Sequence, residues 1–267
     1  MIIKTIDFLL LLGLTLVYVP GNVLGQKIET GFLDRSVSIG SVEYRFQVYV
    51  PRGFNKKQSW PVIVALHGGG EYGSDGMKQT NVGLAPAIRR NPERFPAIVI
   101  FPQAKADGKA GWQTDGGEAA MAALDKTIKE FKGDPKRVVL TGLSAGGNGT
   151  WSLASKHPEG FAAIVPVCGF VSNFKGRASA VDYPALAAGD DPYTEIAKKV
   201  ASLPILIFHG AKDDVVSPDE SRKMFAALKK LGANVKYIEL PDANHNAWDP
   251  AYSSAETIAW MLKQKRP

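Results

Sequence analysis

The stretch Val138-Val139-Leu140-Thr141-Gly142-Leu143-Ser144-Ala145-Gly146-Gly147 decides how this chain is read. An apolar run enters it, and a helix-like segment from Asn148 to His157 leaves it. Gly142-x-Ser144-x-Gly146 is the spacing of a sharp strand-to-helix turn that holds a serine hydroxyl clear of the backbone. Glycines two residues either side allow the tight turn and the close approach of neighbouring chain. In a chain with 27 glycines the bare pattern proves little. Its meaning depends on whether the surroundings supply a sheet of the right kind.

They do. Phe32–Ile39 and Val42–Val50 alternate in polarity around Gly40-Ser41, with Tyr44, Phe46, Val48 and Val50 on one side, which predicts an antiparallel hairpin. After Pro51 the pattern changes to short, wholly apolar runs at 62–66, 97–101, 138–140, 163–167 and 205–208, with a last strand at 235–240. Such runs are strands buried on both faces, as a central parallel sheet requires. Between them, helices are expected at 82–90, 118–131, 149–156, 192–201, 218–231 and 255–263. Ser217 is positioned to cap the fifth of these and Gly232 to end it. The expectation is α/β: a doubly wound, mostly parallel sheet with right-handed crossovers, an N-terminal antiparallel hairpin and a short irregular cap. The cap is the Gly-, Ala-, Ser- and Asp-rich stretch from Gly169 to Asp191.

The beginning of the chain has a different grammar. Lys4 precedes an apolar stretch from Phe8 to Val19, then Pro20-Gly21, then Val23-Leu24-Gly25 before Gln26. This reads as a secretory signal peptide over residues 1–25, with residues 26–267 forming one domain. The apolar run is short for a membrane span, so no stable membrane anchor is expected after cleavage, and the product should be secreted or periplasmic. Cys168 is the only cysteine, which excludes an intramolecular disulfide. The net charge of +6 comes from dispersed Lys and Arg with no basic stripe interleaved with aromatics, so nucleic acid is not an expected partner. No dinucleotide fingerprint, P-loop, EF-hand or zinc-protease motif is present, so neither a cofactor nor a metal is expected; the acids at Asp107-Gly108 and Asp115-Gly116-Gly117-Glu118 are a remote calcium candidate.

Ligands of such sheets bind outside the carboxyl ends of the strands. Polar motifs fall at those ends: His67-Gly68-Gly69-Gly70-Glu71, the Ser144 turn, His209-Gly210-Ala211-Lys212-Asp213-Asp214 and Pro241-Asp242-Ala243-Asn244-His245. A serine hydroxyl is a poor nucleophile until a base removes its proton, histidine does so near neutral pH, and a carboxylate orients the imidazole. An oxyanion formed on attack needs preorganised donors. The backbone N–H of Ala145 is one candidate, and the Gly68-Gly69-Gly70 loop, with Gly69 favoured, offers another.

At these residues the chain resembles the α/β-hydrolases. More narrowly it is similar to exported carboxylesterases of the feruloyl and acetylxylan esterase, polyhydroxybutyrate depolymerase-like and prolyl-oligopeptidase-like group. The matching segments are 66–71, 141–147, 209–216 and 245–248, and the resemblance spans about residues 44–262. It implies Ser144 as nucleophile, His245 as base and, by the pattern His-Gly-x-x-Asp, Asp213 as acid, with Asp214 in reserve. It further implies an acyl-enzyme route on a small ester or an acylated polysaccharide. The alternatives are a prolyl-oligopeptidase-type peptidase, against which the short N-terminal hairpin counts, and a carbohydrate-binding relic without activity.

Other residues carry plainer readings. Trp112, in a loop at the same face, serves equally as pocket wall (substrate-binding) or loop anchor. His67 and His209 read as structural supports beneath the site, Trp248 as an anchor for the His245 loop, and Trp151 and Cys168 as core. Asn148-Gly149-Thr150 matches a glycosylation sequon, but its place in the turn makes a glycan sterically unwelcome.

Overall fold

The computed structural model describes residues 29–105, 111–175 and 181–267; the leader read at 1–25 and the Asp107-Gly108 turn lie outside them. The chain enters as a hairpin of β1 (Gly31–Ile39) and β2 (Val42–Val50), paired from Gly31↔Val50 to Ile39↔Val42. It continues through β3 (Trp60–Leu66), α1 (Leu84–Arg90), β4 (Ile98–Pro102), α2 (Asp115–Phe131), β5 (Gly133–Leu143) and α3 (Ala145–Lys156). Then follow β6 (Ala163–Val167), the short pair β7 (Phe174–Lys175) and β8 (Asp182–Tyr183), α4 (Pro192–Val200), β9 (Ile205–Gly210) and α5 (Asp219–Lys230). The chain ends with β10 (Val235–Leu240), α6 (Trp248–Ser253) and α7 (Ala255–Leu262). No helix among the described residues is long and apolar enough to cross a membrane.

Eight strands form one sheet in the order β1-β2-β4-β3-β5-β6-β9-β10. β2 meets β4 antiparallel, and every pair from β4 to β10 is parallel, as expected from the unbroken apolar runs. Alternate residues of one strand feed opposite cores. Val62, Val64 and Leu66 of β3 pack with Trp151, Leu153 and Leu124 of the helices on one side, while Ile63 and Ala65 pack with Ile88, Tyr252 and Ile258 on the other. A strand loaded on both faces has no position left for a charge, which is why these runs are legible as strands.

The departures from expectation lie at ends and in loops. β5 begins at Gly133 because Gly133 pairs with Trp60 of β3, so the strand runs through Asp134, Pro135 and Lys136 despite their poor strand propensity. α3 begins at Ala145, not Gly149, because its weakly helical first turn of Ala145-Gly146-Gly147-Asn148 is fully buried. Packing there overrides propensity. Ser217 Oγ accepts from Asp219 N–H at 3.3 Å at the start of α5, where Pro218 is the capping residue, and Gly232 follows the helix at φ +69°. Within 169–191 the chain is not wholly irregular: β7 and β8 pair antiparallel, Phe174↔Tyr183.

Candidate active site

Ser144 occupies the junction between β5 and α3 at φ 52°, ψ −115°, a conformation non-glycine residues rarely adopt. Such strain costs of order 1–3 kcal/mol and persists only where the surroundings enforce it. Here they do. A Cβ on Gly142 would lie 2.2 Å from the Gly146 carbonyl oxygen, and one on Gly146 would lie 2.3 Å from the Leu66 carbonyl oxygen. Ser144 N–H donates to the Val167 carbonyl at 2.9 Å, and its own carbonyl accepts from Asn148 N–H at 3.0 Å. The serine side chain is thereby carried to the carboxyl edge of the sheet, where it is partly exposed.

His245, in the loop after β10, brings Nε2 to 3.0 Å from Ser144 Oγ and Nδ1 to 2.7 Å from Asp213 Oδ2. Its ring stands edge-on to Trp248 at 5.4 Å, so Trp248 supports the loop as expected. Asp213 follows β9. Its Oδ1 accepts from the backbone N–H groups of Val215 and Val216, both at 2.9 Å. Burial pushes the Asp213 carboxyl up, but the close approach of His209 Nε2, the hydrogen bond and charge attraction of His245 and the Val216 N–H together hold it well below the usual carboxylate range. Asp214 is exposed, and Asp213 is the acid that meets His245.

The glycine loop after β3 lies against the Ser144 turn. A Cβ on Gly68 would strike the Leu143 side chain at 2.8 Å, and one on Gly146 would come within 2.6 Å of the His67 carbonyl oxygen. Gly69 opens the single-turn 3-10 helix Gly69–Glu71, and Ala145 is the first residue of α3. First-turn N–H groups have no partner within their own helix, which leaves them available to an anion. His67 ties this loop down: Nδ1–H donates to the Gly68 carbonyl at 2.7 Å, and Nε2 accepts from Ala104 N–H at 3.0 Å. Complete burial drops the His67 pKa to about 4, against a smaller upward push from the Gly68 carbonyl.

Trp112 is the anchor of this loop. It is 1% exposed, its indole N–H donates to the His67 carbonyl at 3.1 Å, and its ring lies 4.6 Å from the His67 ring. The substrate-wall alternative for Trp112 is therefore corrected: both its polar atom and its faces are spent on protein. The side chain nearest Gly69 comes instead from the cap. Tyr183 of β8 donates its hydroxyl to Tyr72 at 3.2 Å and reaches within 3.8 Å of where a Gly69 Cβ would stand. Phe170 and Phe174 pack with Tyr183 at 5.2 and 6.1 Å between rings. Sequence reading missed this group, and its one signal is the run of aromatics at 170, 174 and 183 inside an otherwise small-residue stretch.

Two further features complete the surroundings. Glu220 of α5 accepts from the N–H groups of Val171 and Ser172, from the Ser172 hydroxyl and from the Tyr193 phenol, pinning the loop that leaves β6. Cys168, buried and at φ 42°, puts its sulfur within 4.8 Å of the donor atoms of Asp213 and His245. Burial first, then the Asp213 charge, raise the thiol well above its ordinary value, so it stays protonated while the Asp and His are spent on each other. That donor set fits packing better than a metal. Asn148 is buried, donating to the Phe170 carbonyl at 3.0 Å and accepting from Gln113, and so is closed to a glycan.

Residues 105–264 match the family model described as the prolyl oligopeptidase family. An uncharacterized secreted protein of Arthroderma benhamiae is 28% identical over 212 residues, covering 72% of this chain and 22% of the relative. Esterase LipQ of Mycobacterium tuberculosis is 30% identical over 168 residues, covering 52% of this chain and 38% of the relative. The chain thus spans less than half the length of these curated relatives. Among solved structures, a thermostable esterase superposes with a TM-score of 0.73 at 28% identity, covering 88% of this chain and 63% of that one.

Proposed function

The chain belongs to the prolyl oligopeptidase family, and from that premise we propose that it is a serine hydrolase cleaving carboxylic esters through an acyl-enzyme. One observation carries the reading: Ser144 Oγ, His245 Nε2 at 3.0 Å, and Asp213 Oδ2 at 2.7 Å from His245 Nδ1 form one relay at the sheet's carboxyl edge. Ser144 Oγ attacks the ester carbonyl carbon while His245 Nε2 takes its proton, and the carbonyl π electrons move onto oxygen. The N–H groups of Ala145 and Gly69 hold that oxyanion. Collapse re-forms the carbonyl and breaks the bond to the alcohol oxygen, which His245 protonates. Water then repeats the sequence on the acyl-serine, releasing the acid and restoring Ser144. Asp213, ionised throughout, keeps His245 in the Nδ1–H tautomer.

An ester substrate is favoured by the likeness to LipQ and to the thermostable esterase. The finer reading is an acyl or feruloyl ester of polysaccharide met outside the cell, supported by the leader-like sequence 1–25 and the likeness to a secreted protein. A peptidase acting after proline is the second reading, and the family match favours it. A fluorophosphonate probe should label the wild type and not Ser144→Ala. A panel of p-nitrophenyl acetate, methyl ferulate, acetylated xylan and a prolyl-peptide amide should show turnover on esters. Cleavage of the amide alone would replace the esterase by the peptidase, and no labelling at Ser144 would end both.

A further inference from the structure

Asp213 serves two histidines. Besides His245, the buried ring of His209 on β9 brings Nε2 to 3.2 Å from the same Oδ2 atom and to 3.0 Å from the Val216 carbonyl oxygen. Both neighbours are acceptors, so Nε2 carries the hydrogen. Nδ1 of a neutral ring is then the acceptor, and the Ser221 hydroxyl of α5, 2.7 Å away, donates to it. His209 is wholly buried and Ser221 nearly so, leaving no water to take over either bond. The result is a continuous chain, Ser221 to His209 to Asp213, meeting His245 and Ser144 from the other side.

We propose that His209 is a positioning residue of the triad. Its Nε2–H fixes the Asp213 carboxylate and shares the oxygen that pairs with His245, limiting how strongly that oxygen favours a protonated His245. The proposal rests on the serine-hydrolase reading. Its physical basis is that each donor on a carboxylate disperses charge that would otherwise act on the remaining partner. Asp213 accepts from two backbone N–H groups on Oδ1 and from His245 on Oδ2, and the His209 Nε2–H, bonded to the Val216 carbonyl, lies 3.2 Å from that same Oδ2, so removing the His209 dipole concentrates charge on His245.

The other titratable groups facing this chain do not supply the same effect. Cys168, just after β6, is buried and stays a neutral thiol. Glu239 of β10 is held by Arg222 and by the Tyr237 phenol, which donates at 2.6 Å. Lys212 is exposed and paired with Asp242, and Asp214 is exposed on the same loop.

The test is the pH profile of kcat/KM on a p-nitrophenyl ester for His209→Leu and His209→Gln. Leucine removes the donor; the glutamine amide nitrogen reaches the level of Nε2 and retains it. The acid limb of the leucine variant should move up by about half a pH unit or more, with kcat down about tenfold from a loosened acid. The glutamine variant should stay close to wild type. A purely structural role would lower the melting temperature and leave the limb in place. A folded leucine variant with the wild-type limb, or a glutamine variant shifted as far as leucine, overturns the proposal. If leucine does not fold, His209→Asn replaces it: its amide ends at the level of Nδ1, meets Ser221 and falls short of Asp213, and the same two outcomes apply. Fluorophosphonate labelling of the wild type separates the layers. An unreactive wild type defeats the hydrolase reading itself, whereas a reactive one with an unmoved limb defeats only the role of His209.

Discussion

Gly147 and Gly169 meet backbone against backbone. A Cβ on Gly147 would lie 2.7 Å from the Gly169 Cα, and one on Gly169 would lie 2.8 Å from the Gly147 carbonyl carbon. The first turn of α3 is thereby seated on the segment that leaves β6, the same segment that Glu220 pins from α5. The contact joins the Ser144 turn to the cap through main chain alone.

Because neither backbone can yield as a side chain would, Gly169→Ala should destabilise the protein by about 1–3 kcal/mol through overpacking. It should also slow acylation by displacing the Ser144 turn. Thermal melting and the rate of fluorophosphonate labelling check this together. A variant matching the wild type in both would mean that the two segments separate freely.

The neighbouring aspartates should part company on mutation. Asp213→Asn keeps the shape but presents an amide where His245 needs an acceptor, so kcat should fall by roughly 10³–10⁴-fold. Asp214→Asn, at an exposed position, should stay within a few-fold of wild type. Steady-state kinetics on a p-nitrophenyl ester decides, and a larger loss at position 214 would move the acid by one residue.

Acid should weaken the fold through His67. Its folded pKa of about 4 lies below the roughly 6.5 of an exposed histidine, so between those values the unfolded chain takes up a proton that the folded one refuses. Stability is therefore fully present above about pH 6.5 and declines as the pH falls, by roughly 3 kcal/mol at about pH 4. Urea unfolding across that window should show the decline in wild type. It should be largely absent in His67→Gln, which does not titrate there, once that variant's own pH-independent loss is subtracted. Equal slopes for the two proteins would remove His67 from the account.

Much of this was legible in the chain itself, for identifiable reasons. β6 sits where its apolar run predicts, because a strand loaded on both faces tolerates no interruption. That Ser144, Asp213 and His245 meet was legible because each follows a strand of the parallel sheet and so had to emerge at its carboxyl edge. α6 was not, since Trp248-Asp249-Pro250-Ala251-Tyr252-Ser253 is too short to establish a helical period. Nor could sequence choose between the two uses of Trp112, because the deciding fact is where its N–H points, and that is a contact with His67 across 45 positions. Glu220 was invisible for the same reason: its partners lie 27 to 49 residues away along the chain.

The two backbone donors on Asp213 Oδ1 make the acid the least portable member of the trio. A serine or a histidine could be moved to another scaffold as a side chain with its rotamer. Asp213 owes its pose to the peptide groups of Val215 and Val216, so it would have to travel with its whole turn. A glutamate at this position would carry its carboxylate one methylene past those donors, giving up the anchorage that makes a short acid suffice.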